Sequence, residues 1–234
     1  IIIFIPSLND GGAEKVAVNL SNSFSKNRRI ILLTLKRNNK YRHDISKKVN
    51  IIELKSSRLI LSIFQIMKVL IKERPKYLIS FLYASCIISS ICKILSFSNV
   101  KIIFSIHNNY ERSKINTKSI LTLYLFKFFL KCSYKVIVVS KGLKNQLQSK
   151  FNIPEYKIHY IYNPILKTNL LSESFKTDNS IFLFKKKKIN LLILGRLTKQ
   201  KNQIFVIRNL RKFNFFDKIN LFIVGTGENL ELLK

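Results

Sequence analysis

Short apolar runs rich in β-branched residues alternate with longer stretches of helical spacing along most of this 234-residue chain. The runs are Ile1–Ile5, Ile30–Leu35, Val49–Glu53, Tyr77–Ser80, Lys101–Ile106, Lys135–Val139 and Ile158–Ile161. Strands that lack a regular polar alternation are buried on both faces, and strands separated by helices run parallel. Right-handed crossovers then predict a Rossmann-like α/β layer sandwich.

The intervening helices are expected at Gly12–Ser25, Ser57–Lys72, Ala84–Leu95, Ser113–Lys131 and Lys141–Lys150. Leu59, Ile63, Ile66 and Leu70 recur at helical spacing, which leaves Arg58, Lys68 and Lys72 to point outward. Leu123, Tyr124, Leu125, Phe126, Phe128, Phe129 and Leu130 are interleaved with Lys118, Lys127 and Lys131. A basic, aromatic helix of that kind can lie on an anionic bilayer. A core helix is the preferred expectation.

Asn163-Pro164 ends the seventh strand, and Leu166 to Lys188 is polar, lysine-rich and without periodicity. The chain is therefore read as an N-terminal Rossmann-like domain over 1–165, a linker over 166–188, and a strand–helix–strand unit over 189–234. That last unit comprises Ile189–Leu194, Asn202–Phe213 and Ile219–Val224. One such unit cannot close a core of its own, so it is expected to be the beginning of a second domain, truncated here.

Forty-two Lys and Arg against twelve Asp and Glu give a formal charge of +30, which points to anionic partners. The charge is spread along the chain and no RNA-binding signature accompanies it, so no specific nucleic acid is expected. An anionic membrane surface stays in play. Cys86, Cys92 and Cys132 lack metal-ligand spacing and read as reduced core thiols of a cytoplasmic protein, while His43, His107 and His159 are scattered. No metal or cofactor is implied. Tyr77 to Cys92 is short for a membrane span, and Ile1–Ile5 reads as a first strand and not as a leader.

The chemistry concentrates at Gly195-Arg196-Leu197-Thr198-Lys199-Gln200-Lys201-Asn202, directly after an apolar strand. At the carboxyl end of a parallel strand glycine lets a ligand come close, and the next helix points free N–H groups at an anion. Arg196 offers a planar fork for two phosphate oxygens, and Lys201 a mobile point charge. Such a pair can stabilise a departing nucleoside diphosphate; a solvated basic turn is the plain alternative. A second Gly-x-Gly, Gly225 and Gly227, follows the next strand, but position 230 is leucine, which weakens a dinucleotide reading. No Asp-x-Asp pair, glycosidase-like acid pair or signed Ser/His/Asp triad is present.

Six motifs in order resemble the family-four retaining glycosyltransferases of the GT-B fold, in which two Rossmann-like domains face each other across a nucleotide-sugar cleft. They are Ile3 to Glu14 with its Gly11-Gly12 loop, Ser105-Ile106-His107-Asn108, Val138 to Gly142, Ile161 to Pro164, Leu194 to Asn202 and Val224 to Gly227. The resemblance implies a GT-B-like fold and transfer of a sugar from a nucleotide diphosphate donor with retention. It implies that Gly11, Gly12, Gly195, Arg196, Lys201, Gly225 and Gly227 approach the donor, with His107 beside the transferred sugar. It also suggests a glycan or polyprenyl-linked acceptor in surface polysaccharide synthesis, at the inner face of the plasma membrane. The family's later pair of glutamates eight positions apart has no counterpart among this chain's glutamates. A non-catalytic basic domain that binds acidic lipid or RNA, and an inactive truncated transferase, remain the alternatives.

Overall fold

The computed structural model describes residues 1–9, 11–35, 40–56, 58–108, 120–164, 188–212 and 216–233. The chain divides into two compact units, Ile1–Ile165 and Leu166–Lys234. The first contains β1 (Ile2–Phe4), α1 (Gly12–Phe24), β2 (Ile31–Leu35), β3 (Asn50–Leu54), α2 (Ile63–Glu73), β4 (Tyr77–Phe81) and α3 (Tyr83–Leu95). It continues through β5 (Lys101–Ile106), α4 (Ile120–Cys132), β6 (Lys135–Val138), α5 (Lys141–Phe151) and β7 (Ile158–Tyr160). All seven strands are parallel, in the order β3-β2-β1-β4-β5-β6-β7.

Burial on both faces explains the apolar strands. Ile2, Phe4, Leu33 and Phe104 face one core together with helices α2 to α5, whereas Ile3, Ile5, Leu32 and Phe81 face a second core built on Ala13, Ala17 and Val18 of α1. In α4 Phe126, Phe129 and Leu130 enter the first core, so the aromatic helix is a core helix, with Leu121, Tyr124 and Phe128 left outside. Its expected first turns, 113–119, lie outside the described residues. The helix expected from Ser57 starts later, at Ile63, after a 3-10 turn at Ile60–Ser62.

The three cysteines do not share one environment. Cys86 and Cys92 are buried, and burial raises both thiols, Cys92 to about 12. Cys132 ends α4 on the surface, which corrects the expectation of a third core thiol. No described helix is long and apolar enough to cross a membrane.

The second unit contains β8 (Ile189–Leu194), α6 (Gln203–Leu210), β9 (Ile219–Val224) and the short α7 (Leu230–Leu233). Its two strands pair in parallel with Ile189 opposite Ile219 and Leu194 opposite Val224. Leu197 and Leu210 are its buried side chains of greatest apolar content, while Leu192 and Leu194 on β8 are exposed.

Candidate functional site

In a doubly wound sheet, ligands bind outside the carboxyl ends of the strands where the strand order reverses. Here the reversal falls between β1 and β4. The segment after β1 leads to Gly11 and Gly12, the segment after β4 is Leu82, and the segment after the neighbouring β5 is His107-Asn108.

Gly11 caps α1 with an ordinary extended backbone, φ −129°, and Gly12 opens the helix. A Cβ on Gly12 would meet nothing within 4 Å, and one on Gly11 would meet only the carboxylate of Glu14. The space above Gly12 is open, whereas that above Gly11 is taken by the Glu14 side chain. The Glu14 carboxylate folds back over that N-terminus and supplies one anion already.

His107 lies flat against Phe81, ring centroids 5.2 Å apart and planes 19° from parallel. Its Nε2 shares a hydrogen bond of 2.9 Å with the Ser105 hydroxyl, while the buried Nδ1 has no partner among the described residues. Burial pushes the imidazole down to about 4, so it is neutral at pH 7. The neighbouring turn is braced by the Tyr83 hydroxyl, which donates to the Asn108 carbonyl at 2.6 Å.

Leu82 was not expected from sequence. It adopts φ 69° and ψ 153°, a region other residues leave to glycine, while its N–H donates to the Ser105 carbonyl at 3.2 Å. Nothing in Phe81-Leu82-Tyr83 signals this, because the strain comes from joining β4 to α3 beside β5. Ser140 caps α5: its hydroxyl accepts from the Leu143 N–H at 3.2 Å.

In the second unit Gly195 follows β8 with φ 143° and its N–H donates to the Val224 carbonyl at 3.0 Å. A Cβ there would lie 3.9 Å from Cε of Lys201, so the structure brings Gly195 and Lys201 together. Arg196 and Lys201 are both exposed, and neither has an ion-pair partner among the described residues. The turn is tied to the end of β9 by Leu197, whose N–H donates to the Thr226 carbonyl and whose carbonyl accepts from Asn229. Gly225 and Gly227 take positive φ, and Cβ atoms on them would run into the carbonyls of Gly195 and Leu197. Their glycines are thus demanded by the contact between two turns. Gln203, buried at 2% exposure, holds the Arg196 carbonyl through its side-chain amide at 2.9 Å, and its Oε1 is without a partner among the described residues. The sequence reading passed over this glutamine, although a polar residue one position into an apolar helix stripe was the available signal.

A seven-stranded parallel sheet with this strand order, a glycine turn at its reversal, and a second strand–turn–helix–strand unit define an α/β protein of two Rossmann-like units. The model of Glycosyltransferase Family 4 matches residues 10–166, and the chain belongs to that family. An uncharacterized glycosyltransferase of Methanocaldococcus jannaschii, MJ1607, is 36% identical over 107 residues, which are 44% of this chain and 27% of that protein. Among solved structures, the apo form of the lipopolysaccharide outer core galactosyltransferase WaaB matches with a TM-score of 0.65 at 18% identity, over 99% of this chain and 62% of WaaB. Anabaena Alr3699/HepE in complex with UDP matches with a TM-score of 0.69 at 12% identity, over 97% of this chain and 60% of its own. These structural likenesses show the GT-B fold. The chain spans less than two thirds of each of these relatives.

Proposed function

We propose that this chain serves a retaining glycosyltransferase that moves a sugar from a nucleoside diphosphate donor to a glycan or lipid-linked acceptor. The observation that carries the reading is the pair of exposed cations, Arg196 and Lys201, without an ion-pair partner among the described residues, on a glycine turn between β8 and the start of α6. In the reaction the bond from the anomeric carbon to the diphosphate oxygen breaks and a bond to the acceptor oxygen forms. The acceptor's proton leaves with the diphosphate. Arg196 and Lys201 neutralise the charge that develops on that leaving group, and losing such a desolvated contact costs on the order of several kcal/mol.

Neutral His107 can exchange a hydrogen bond with a sugar hydroxyl without adding charge, through a nitrogen that the protein leaves unpartnered. Gly12 gives the acceptor or donor room above α1, and Gly11 adds to it where the Glu14 side chain swings away. Gly225 and Gly227 shape the turn beneath Arg196, and any nucleotide contact they make is through their backbone. Family membership supports the transfer chemistry, and retention is what the resemblance of the sequence motifs implies. The UDP bound by HepE and the lipopolysaccharide role of WaaB support a nucleotide-sugar donor and a surface glycan acceptor. Such an acceptor places the protein in the cytoplasm, at the inner face of the plasma membrane.

Calorimetric titration with uridine and guanosine diphosphates and their sugars, at low and moderate salt, tests the reading. Saturable, base-selective binding that Arg196→Ala with Lys201→Ala abolishes is expected. Absent binding, or binding that ignores the base and fades steeply with salt, supports the charge-driven module or inactive fragment instead.

A further inference from the structure

Strands β4, β5, β6 and β7 are neighbours in the parallel sheet, and all begin at the end opposite to His107 and the glycine turn. Register sets what stands at that end. Tyr77 on β4 pairs with Lys101 on β5, Lys135 on β6 pairs with Ile103, and Val136 pairs with Ile158 on β7. Tyr134 and Lys135 therefore open β6 beside Lys101, and Tyr156, two residues before β7, comes next along the edge.

Lysine and tyrosine alternate along this edge. The Lys76 ammonium stands 5.8 Å from the centre of the Tyr77 ring, that of Lys101 4.8 Å from Tyr134, and that of Lys135 5.8 Å from Tyr156. The Tyr77 and Tyr134 rings are 6.1 Å apart with their planes at 49°. Lys135 is fixed by donating to the Tyr156 carbonyl at 2.7 Å. Tyr134 is 43% exposed and Tyr156 69%. The other two lysine–tyrosine pairs among the described residues, Lys15 with Tyr41 and Lys141 with Tyr160, stand singly at the carboxyl ends of strands. A row of pairs on successive strands belongs to the amino ends.

The positive charge of this row is not answered from within the protein. From Arg74 to Asn108 and from Ile120 to Pro164 the one carboxylate is that of Glu155, and Lys144 holds it at 2.7 Å. Glu73, at the end of α2, is held by Arg29 at 2.7 Å. Where the row begins, a cleft of about 570 Å³ opens beside Lys76 and Lys101, walled by Arg74, Ser98 and Phe97.

We propose that this edge is a second glycan-binding site, apart from the candidate transfer site, and that it holds an acidic polysaccharide built of uronic acid residues. The compactness of each pair selects the occupant. A tyrosine ring packs against the apolar C–H face of a sugar, and an ammonium meets a carboxylate. A hexuronate carries its carboxylate directly on the sugar ring, so one residue engages a ring and the ammonium 4.8 to 5.8 Å from its centre together. A nucleotide keeps its phosphate a whole ribose away from its base, and rings inclined at 49° form no parallel slot for a base to enter. The site rests on the glycan acceptor proposed above and deepens it. Holding a distal part of the polymer raises its effective concentration at the transfer site between one addition and the next.

Calorimetric titration of the full chain with tetragalacturonate, and with neutral maltotetraose alongside, tests the site. Wild-type protein is expected to bind the uronate saturably and maltotetraose about tenfold more weakly or less. Tyr134→Ser with Tyr156→Ser leaves the charge unchanged and is expected to lower uronate affinity about tenfold, whereas Tyr134→Phe with Tyr156→Phe keeps most of it. Lys101→Gln with Lys135→Gln is expected to weaken binding likewise. Lys47→Gln with Lys48→Gln, an equal loss of charge just before β3, is not. In wild-type protein, bound tetragalacturonate should shield Tyr134 and Tyr156 from nitration by tetranitromethane and leave the exposed Tyr124 reactive, which locates the site even where a variant fails to fold. Folded serine variants that bind like wild type, an equal loss in the Lys47 and Lys48 variant, or no shielding of Tyr134 and Tyr156 each overturn the site. An oligouridylate that binds more tightly than the uronate and shields the same tyrosines also overturns it. Absent uronate binding beside base-selective nucleotide binding overturns the site and leaves the transferase reading standing; failure of both ligands overturns both.

Discussion

The side-chain amide of Gln203 donates to the carbonyl of Arg196 at 2.9 Å, across seven residues of a turn whose outer side carries both cations of the candidate donor site. The buried glutamine thus fixes the backbone from which the Arg196 side chain projects. Gln203→Met keeps the length and removes the donor, and is expected to cost about 1 kcal/mol in urea unfolding. Nucleoside diphosphate affinity should fall by more than stability accounts for. A variant that binds nucleotide like wild type would show that the turn keeps its shape without the glutamine.

His107 supplies a pH signature. Its folded pKa, about 4, lies below the ordinary value of 6.5 because the ring is buried. Above pH 6.5 the imidazole is neutral in both folded and unfolded chains and contributes no slope. Between pH 6.5 and 4 the unfolded chain takes up a proton that the folded chain refuses, so stability falls as pH falls through that window. His107→Gln should flatten this part of the profile in chemical denaturation. An unchanged slope would assign the proton to another group.

Leu82 should invert a familiar ordering. At most positions alanine is better tolerated than glycine, but Leu82 sits at φ 69°. Leu82→Gly is expected to be more stable than Leu82→Ala by about 1 kcal/mol, measured by thermal or urea unfolding, since only the alanine keeps a Cβ in the strained conformation. Equal stability of the two would mean that the backbone relaxes.

The glycines after β8 and β9 should differ. A Cβ on Gly195 has room beside Lys201, whereas one on Gly225 collides with the Gly195 carbonyl. Gly225→Ala should destabilise the second unit by about 2 kcal/mol more than Gly195→Ala, read by hydrogen exchange in β8 and β9. The opposite order would remove the contact between the two turns as the reason for Gly225.

Periodicity made much of this architecture legible. Strands buried on both faces announce themselves as continuous apolar runs, and all seven of the first sheet fall on the expected segments, with β3 and β4 each running one residue further, to Leu54 and Phe81. The basic turn at Arg196 was visible because glycine and charge follow an apolar run directly. Helix starts were less legible: Ile60–Ser62 is a 3-10 turn although the helical stripe already begins before it, at Leu59. Leu82, Tyr83 and Gln203 were missed for a common reason. Their roles depend on partners at Ser105, Asn108 and Arg196, and no local pattern records a contact made after the chain has crossed over. Cys132 was misplaced because apolar neighbours in sequence do not decide which side of α4 its last residue takes.

The position of β1 bears on how the protein is made. Ile2 is paired with Ile31 on one side and with Leu78 on the other. On the ribosome, a strand that ends up in the middle of the sheet emerges long before its second neighbour. Until β4 arrives, one edge of β1 is an unsatisfied template with an apolar face on each side, open to pairing with another nascent chain. Synthesis of the segment from β2 to β4 is the interval in which this polypeptide most needs a chaperone, and slowing translation there should lower the yield of soluble protein.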